Sequence, residues 1–343
     1  MEQDTITEAR RALMNMIFGS MASQVVSACV RLGVADALGE AELSTPEVAS
    51  TCGAPVGTTR RLLRAATALG LAVERGGDRF ALTPMGAMLR SSGEGSLHTF
   101  ARVFTDPVMV RPWHRLDEAV TGDRTTFEDE FGVPFFDHLK TAPDLAAAFN
   151  AAMGQGTYLA AAVLPEAYDF GRFGAVMDVG GGDGTLLASV LRRHEDLRGV
   201  LFDTVEGVAQ ADGTLRAAGV ASRCAVRTGD FFTSVPGGVD AILLKSVLHD
   251  WDDERATTIL GHCRQALPDD GRLLVVEPVL PEAVADAPSP VVYLSDLNML
   301  VNVGGRERTR AEFETLLSGN GFTVDDVIPL PPSGFCLIDA TCS

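Results

Sequence analysis

The spacing of apolar residues changes character near Phe173. Before it, the pattern is helical. Residues 12–38 carry Met14, Ile17, Met21, Val25, Val26, Cys29 and Leu32, with no charge between Arg11 and Arg31. That predicts a long helix buried on more than one side, covered by a partner subunit or by the core of its own chain. Ser44-Thr45-Pro46-Glu47 marks a helix start, with a hydroxyl cap and a proline in the first turn. A second helix is expected from about residue 58 to residue 69. The runs 71–74 and 79–82, separated by Gly76-Gly77, read as a small hairpin. Helix, helix and hairpin outline a winged helix over residues 1–97. Residues 98–165 read as helices rich in large side chains, a linker where an acceptor pocket would form at a domain junction. From residue 166 onward a third region begins. Short β-rich runs at 175–179, 199–202, 225–227, 241–245 and 272–277 alternate there with amphipathic segments at 186–193, 206–218 and 253–267. This predicts an α/β fold with a parallel, doubly wound, Rossmann-like sheet. The tail, helical at 309–319 and extended at 323–329 and 334–341, predicts an antiparallel hairpin at the sheet edge.

Composition narrows the function classes. The 343 residues are about two domains' worth, and 46% hydrophobic with 22% charged is an ordinary globular balance. Lys and Arg number 28 against 46 Asp and Glu, a net charge of −18. Such a chain repels nucleic acid and anionic membrane surfaces, which disfavours DNA reading by Arg60, Arg61 and Arg64 and makes the winged helix a dimerisation module. The six cysteines form no CxxC pair, which fits reduced thiols and argues against a zinc site. The polar start MEQDTITEARR is no signal peptide, and no apolar run approaches membrane-spanning length, so a cytoplasmic location is expected.

The strongest chemical signal is Val176-Met177-Asp178-Val179-Gly180-Gly181-Gly182-Asp183-Gly184-Thr185-Leu186, a strand, a glycine-rich turn and a helix start. Glycines at 180, 182 and 184 do not match the dinucleotide spacing GxGxxG, and no P-loop lysine follows. The acidic Asp178 before the turn disfavours pyrophosphate and suits a cation, such as the amino group of S-adenosylmethionine. Asp203 ends the second strand, where a carboxylate accepts from ribose hydroxyls. Gly229-Asp230-Phe231 follows the third strand, where Asp230 can accept from an adenine amino group and Phe231 can stack on the ring.

On these motifs, and on LFDTVEGVAQ, LLKSVLHDWDDERATTIL, LLVVEP and GGRERTRAEFETLLSGNGF, nearly the whole chain resembles the caffeic-acid-type class I O-methyltransferases. It is most similar to their bacterial relatives acting on aromatic polyketides and other secondary metabolites. The resemblance implies S-adenosylmethionine as methyl donor, S-adenosylhomocysteine as product, no metal, a phenolic acceptor and a homodimer. It also implies a catalytic base at His249, in the loop after an apolar strand. Imidazole ordinarily titrates near 6.5, so this base is expected to be neutral at pH 7, where a phenol of pKa about 10 needs it. Glu277 and Glu307 are implied as carboxylates orienting the imidazole. Alternatively, Glu307 pairs with Arg306 or Arg308, and Glu277 meets solvent at a strand end. The resemblance places Lys245 beside the adenosyl site, with a salt bridge as the other reading, and Thr157 at the donor's carboxylate. It places Trp113, Phe136, Phe149, Met153, Asp250, Asn298, Met299 and Asn302 along the acceptor pocket. Relatives with this fold that no longer methylate, acting as hydroxylases or pericyclases, give the alternative function.

Overall fold

The apolar stretch 12–38 is not one helix. In the computed structural model, which describes residues 2–122, 124–287 and 289–343, it is divided among helices Glu2–Ile17, Gly19–Arg31 and Val34–Leu38. The chain bends by 45° between the first two. It turns again at Gly33, whose φ of +65° suits a residue without Cβ. The apolar side chains of the first piece, among them Leu13, Met16 and Ile17, are exposed, as is Met21 at the start of the second, whereas Cys29, Val30, Val34 and Leu38 join a core with Leu63 and Phe80. No single helix among the described residues is long and apolar enough to cross a membrane.

Strand β1 (Leu43–Ser44) precedes a helix at Thr45–Thr51, whose start is secured by the Glu47 carboxylate accepting from the Ser44 N–H at 2.7 Å. Strands β2 (Ala72–Arg75) and β3 (Arg79–Leu82) form the expected hairpin, and β1 adds to it in the order β1-β3-β2. The wing places acids against two of the three arginines considered for DNA contact. Arg60 is held by Asp78 through two bonds of 3.0 and 2.7 Å, and Arg64 lies 3.9 Å from Glu74.

Two compact units result, Met1–Val110 and Arg111–Ser343. Their boundary falls inside the segment expected to be a separate linker. Helix His98–Phe104 belongs to the first unit and packs on Gly19–Arg31, while the helices from Arg111 onward belong to the second.

The second unit is built on seven strands. They are β4 (Ala175–Val179), β5 (Arg198–Asp203), β6 (Cys224–Thr228), β7 (Ala241–Lys245), β8 (Arg272–Glu277), β11 (Phe322–Leu330) and β12 (Phe335–Cys342). Two further short strands, β9 (Val279–Leu280) and β10 (Arg308–Thr309), pair with each other in parallel outside that sheet. The sheet order is β11-β12-β8-β7-β4-β5-β6, with β12 antiparallel to both neighbours. The central strands are near-continuous apolar runs because both faces are covered. One face packs Met177, Ile242, Leu244 and Val275 against Ile259, Leu260 and Phe313. The other packs Val176, Leu243 and Leu274 against Leu164, Leu187 and Leu191. Each such fully buried leucine contributes about 1.5–3 kcal/mol of transfer free energy. Parallel order places Asp178, Asp203, Thr228, Lys245 and Glu277 at the carboxyl ends of five adjacent strands, the end at which open α/β sheets bind ligands.

Candidate active site

The turn after β4 carries Gly180, Gly182 and Gly184 at φ of +71°, +56° and +79°, so the backbone doubles back directly into the helix Thr185–Arg193. Nothing lies within 4 Å of where a Gly182 Cβ would stand. The Gly182 N–H donates to Asp203 Oδ2 at 2.8 Å and the Thr204 N–H to Asp203 Oδ1 at 2.6 Å, so the acid ending β5 fixes the glycine turn. Asp178 is buried with neither oxygen in a well-formed hydrogen bond, the Leu187 backbone giving only weak support. Burial and the neighbouring Asp203 charge push its carboxyl up to about 8. Burial also raises Asp203. Buried, unpartnered carboxylate oxygens beside an open glycine cradle fit a cationic ligand that brings its own N–H donors.

The other residues expected around a donor are placed as follows. Gly229 lies where a Cβ would stand 2.6 Å from the Phe202 ring, and its N–H donates to the Asp203 carbonyl. Asp230 is exposed and accepts from the Phe232 N–H at 2.8 Å. Phe231 meets Phe232 and Trp251 edge-on, with centroids 4.9 and 6.3 Å apart. The Lys245 ammonium sits 4.7 Å from the Phe335 ring centroid, and burial lowers its pKa against the opposing charges of Glu277 and Asp178. The Thr157 hydroxyl donates to the Met153 carbonyl of its own helix, Pro143–Ala167, at 2.7 Å.

His249 lies in a single 3-10 turn, Leu248–Asp250, just beyond β7. Its Nδ1 is 3.1 Å from Glu307 Oε1 and 3.4 Å from Glu277 Oε2, and its Nε2 is 3.6 Å from Asp250 Oδ1. Glu277 is fully buried rather than at solvent, and its Oε1 accepts from the Val247 and Leu248 N–H groups at 2.9 and 3.0 Å. Glu307 is not paired with either flanking arginine. Arg306 turns to Glu312 and Asp253. The buried Arg308 donates to the Leu248 and Trp251 carbonyls at 2.9 and 3.0 Å and pairs with Asp253. The parallel β9–β10 pair brings the residues after Glu277 beside those after Glu307, which converges both acids on one imidazole nitrogen.

The expectation of a neutral imidazole at pH 7 does not hold for this setting. Burial alone would lower the His249 pKa, but the charges of Glu277, Asp250 and Glu307 outweigh it and hold it up at about 10. Burial and the adjacent acids Glu277 and Glu307 in turn raise Asp250 to about 7, and burial raises Glu277. The cluster therefore shares protons as a unit.

Around it, Phe136 packs on Trp251 at 5.1 Å and edge-on to Phe149 at 6.5 Å. Trp113 Nε1 donates to Asn298 Oδ1 at 3.1 Å, and Asn302 Nδ2 donates to the same oxygen at 2.9 Å. Met299 and Asn302 are buried in the π-helical turn Met299–Val303, with the Asn302 carbonyl oxygen unpartnered. Met153 is half-buried and tied only to Thr157 by the contacts above. Sequence reasoning passed over Trp251, Ser295 and Asp296, and took Arg308 only as an alternative partner of Glu307. Trp251 sits in the stretch HDW and Arg308 in RERT, but Phe136, which packs on Trp251, and the groups that Arg308 binds are more than 50 residues away in the chain, so no local pattern marks these contacts.

Residues 113–323 match the O-methyltransferase domain family, and residues 14–92 match the O-methyltransferase dimerisation domain. The chain belongs to this O-methyltransferase family. It is 43% identical to O-demethylpuromycin-O-methyltransferase of Streptomyces alboniger, over 97% of this chain and 89% of that one. Among solved structures it is similar to LaPhzM, with a TM-score of 0.92 at 36% identity, covering 98% of this chain and 99% of that one. A neocarzinostatin-biosynthesis O-methyltransferase solved with S-adenosylmethionine and 2-hydroxy-5-methyl naphthoic acid matches with a TM-score of 0.77 at 30% identity, covering 94% and 96%. The protein is thus an S-adenosylmethionine-dependent O-methyltransferase of natural-product biosynthesis, and the cradle at Asp178 and Gly182 is chemically suited to that donor.

Proposed function

We propose that the enzyme methylates a phenolic hydroxyl of an aromatic secondary metabolite, with His249 as general base. The observation that carries this reading is the imidazole anchored at Nδ1 by two buried carboxylates, which leaves Nε2 as the nitrogen that meets an acceptor. Glu307 and Glu277 hold the Nδ1–H tautomer and stabilise the imidazolium once it forms. A base pKa of about 10 matches that of a phenol, so proton transfer between them is close to thermoneutral. The acceptor O–H proton goes to His249 Nε2 as the oxygen bonds the methyl carbon, and the broken S–C bond leaves its electron pair on sulfur. When bound, S-adenosylmethionine supplies a methyl group on a sulfonium, already a good leaving group, so the chain's task is alignment and exclusion of water.

Asp178 ionises against the donor's ammonium, Asp203 takes the ribose hydroxyls with its remaining lone pairs, and Asp230 and Phe231 take the adenine. Gly182 leaves open space for the donor, Gly180 and Gly229 let Val247 and the Phe202 ring pack close to the turn, and Lys245 and Thr157 complete the donor's surroundings. Trp113, Phe136, Phe149, Met153, Asp250, Asn298, Met299 and Asn302 take a planar aromatic acceptor. The exposed apolar faces of Glu2–Ile17 and Gly19–Arg31 pair two copies of the chain.

The decisive experiment is His249→Ala and His249→Gln, assayed by S-adenosylhomocysteine release with a phenolic acceptor and by calorimetry with the donor. Donor affinity is retained, and kcat falls by roughly 10²–10⁴-fold toward pH 10, where His249 is neutral in the wild type, and by less near pH 7, where its raised pKa keeps it largely protonated. Near wild-type rates for His249→Ala across pH 6–9 would overturn the base assignment.

A further inference from the structure

Glu307 is held by two consecutive side chains of the helix Val291–Asn298. Ser295 Oγ donates to Glu307 Oε1 at 2.8 Å, and Asp296 Oδ1 accepts from the Glu307 N–H at 2.9 Å. Oε1 is the same oxygen that faces His249 Nδ1 at 3.1 Å, while Oε2 is buried without a partner. A single carboxylate oxygen therefore serves a hydroxyl and an imidazole at once, and any negative charge the hydroxyl draws is withheld from the imidazole.

We infer that Ser295 is a positioning residue that sets the basicity of His249, by sharing the Glu307 oxygen on which the imidazole rests. This rests on the reading of His249 as the base. The charged groups around the pair come from every packed element. Glu277 ends β8, Asp250 lies on the histidine's own turn, and Lys245 ends β7 and acts on both of these acids. Asp296 is on the serine's helix, and Arg306 and Arg308 flank Glu307 but are bonded elsewhere. None of them donates to Oε1, so Ser295 is the one side-chain donor among the described residues that competes with His249 for it. With three carboxylates already holding the imidazole toward its charged form, the serine acts in the opposite sense and keeps the base releasable.

The test is the pH dependence of kcat/KM for Ser295→Ala, Ser295→Thr and His249→Gln with one phenolic acceptor and saturating S-adenosylmethionine. Without the hydroxyl the full carboxylate charge falls on Nδ1, so the acidic limb of Ser295→Ala moves up by about half to one pH unit, a fraction of what a hydrogen bond to a charged group is worth. That is a loss of roughly three- to tenfold at neutral pH which shrinks as pH rises. Ser295→Thr restores the limb. Carbon NMR of histidine labelled at Cε1 reads the same upward movement on the resting enzyme. A Ser295→Ala profile that superimposes on wild type, or that falls by one factor at every pH, overturns the proposal, as does a Ser295→Thr enzyme that behaves like Ser295→Ala. His249→Gln separates the two readings. If it keeps the wild-type limb, the base assignment itself has failed. If it loses the limb while Ser295→Ala leaves it in place, only the role of Ser295 falls.

Discussion

Replacing Glu307 by Gln removes one negative charge 3.1 Å from His249 Nδ1 while keeping the side chain's shape. At an effective dielectric constant of about 20, a unit charge at that distance interacts with the imidazolium by about 5 kcal/mol, a ceiling of roughly four pH units. The net effect is smaller, because burial and three carboxylates together carry His249 only from 6.5 to about 10. With Glu277 Oε2 still at 3.4 Å and Asp250 Oδ1 at 3.6 Å, the loss of one acid of three lowers the imidazole by about one to two units. Glu277 Oε2, which has no hydrogen-bond partner of its own, remains beside Nδ1 and still favours the Nδ1–H tautomer. The sign follows from protonation. A lower base pKa enlarges the neutral fraction of His249 below pH 8, but each neutral imidazole is a weaker base, by roughly two- to fourfold per unit. The kcat/KM profiles of variant and wild type should therefore cross, Glu307→Gln being the faster enzyme near pH 6 and the slower one near pH 10. Initial rates of S-adenosylhomocysteine release from pH 5.5 to 10.5 at constant ionic strength measure this. A variant slower by the same factor at every pH would refute the reasoning, since Glu307 would then orient the imidazole without setting its charge.

Other outcomes follow from the same geometry. Asp178, raised to about 8 in the free site, must lose its proton to meet a cation, so donor affinity should rise about tenfold per pH unit from pH 5.5 to 7 with proton release; equal Kd values at both ends by calorimetry would contradict this. A Cβ at Gly305 would stand 2.0 Å from the His249 carbonyl oxygen and 2.5 Å from the Trp251 nitrogen, so Gly305→Ala should cost about 1–3 kcal/mol in urea unfolding and displace the catalytic turn. An unchanged urea midpoint would show that the turn yields freely. Ile17→Lys with Met21→Lys puts charge on the exposed apolar face and should convert a dimer to a monomer in sedimentation at micromolar protein, whereas an unaltered dimer would place the interface elsewhere.

Much of this enzyme is written locally in its sequence. Strands β4, β7 and β8 are recognisable by their apolar runs, with polar residues at or next to their ends, because a strand buried on both faces is apolar through its centre. The glycine turn, Asp178 and Asp203 were legible for a related reason, since parallel βαβ order sends every strand's carboxyl end to the same edge of the sheet. The division of 12–38 into three helices was not legible from its apolar spacing, which reads the same through a bend. The charge state of His249 was beyond the sequence altogether. It depends on three carboxylates, two of them 28 and 58 residues away, converging on one ring. That convergence is made by the pairing of β9 with β10, two-residue strands with no periodicity of their own. Ser295 and Arg308 matter only after that pairing has formed. Local patterning sets elements and their ends, whereas electrostatics at a buried site depends on distances between segments that only packing brings together.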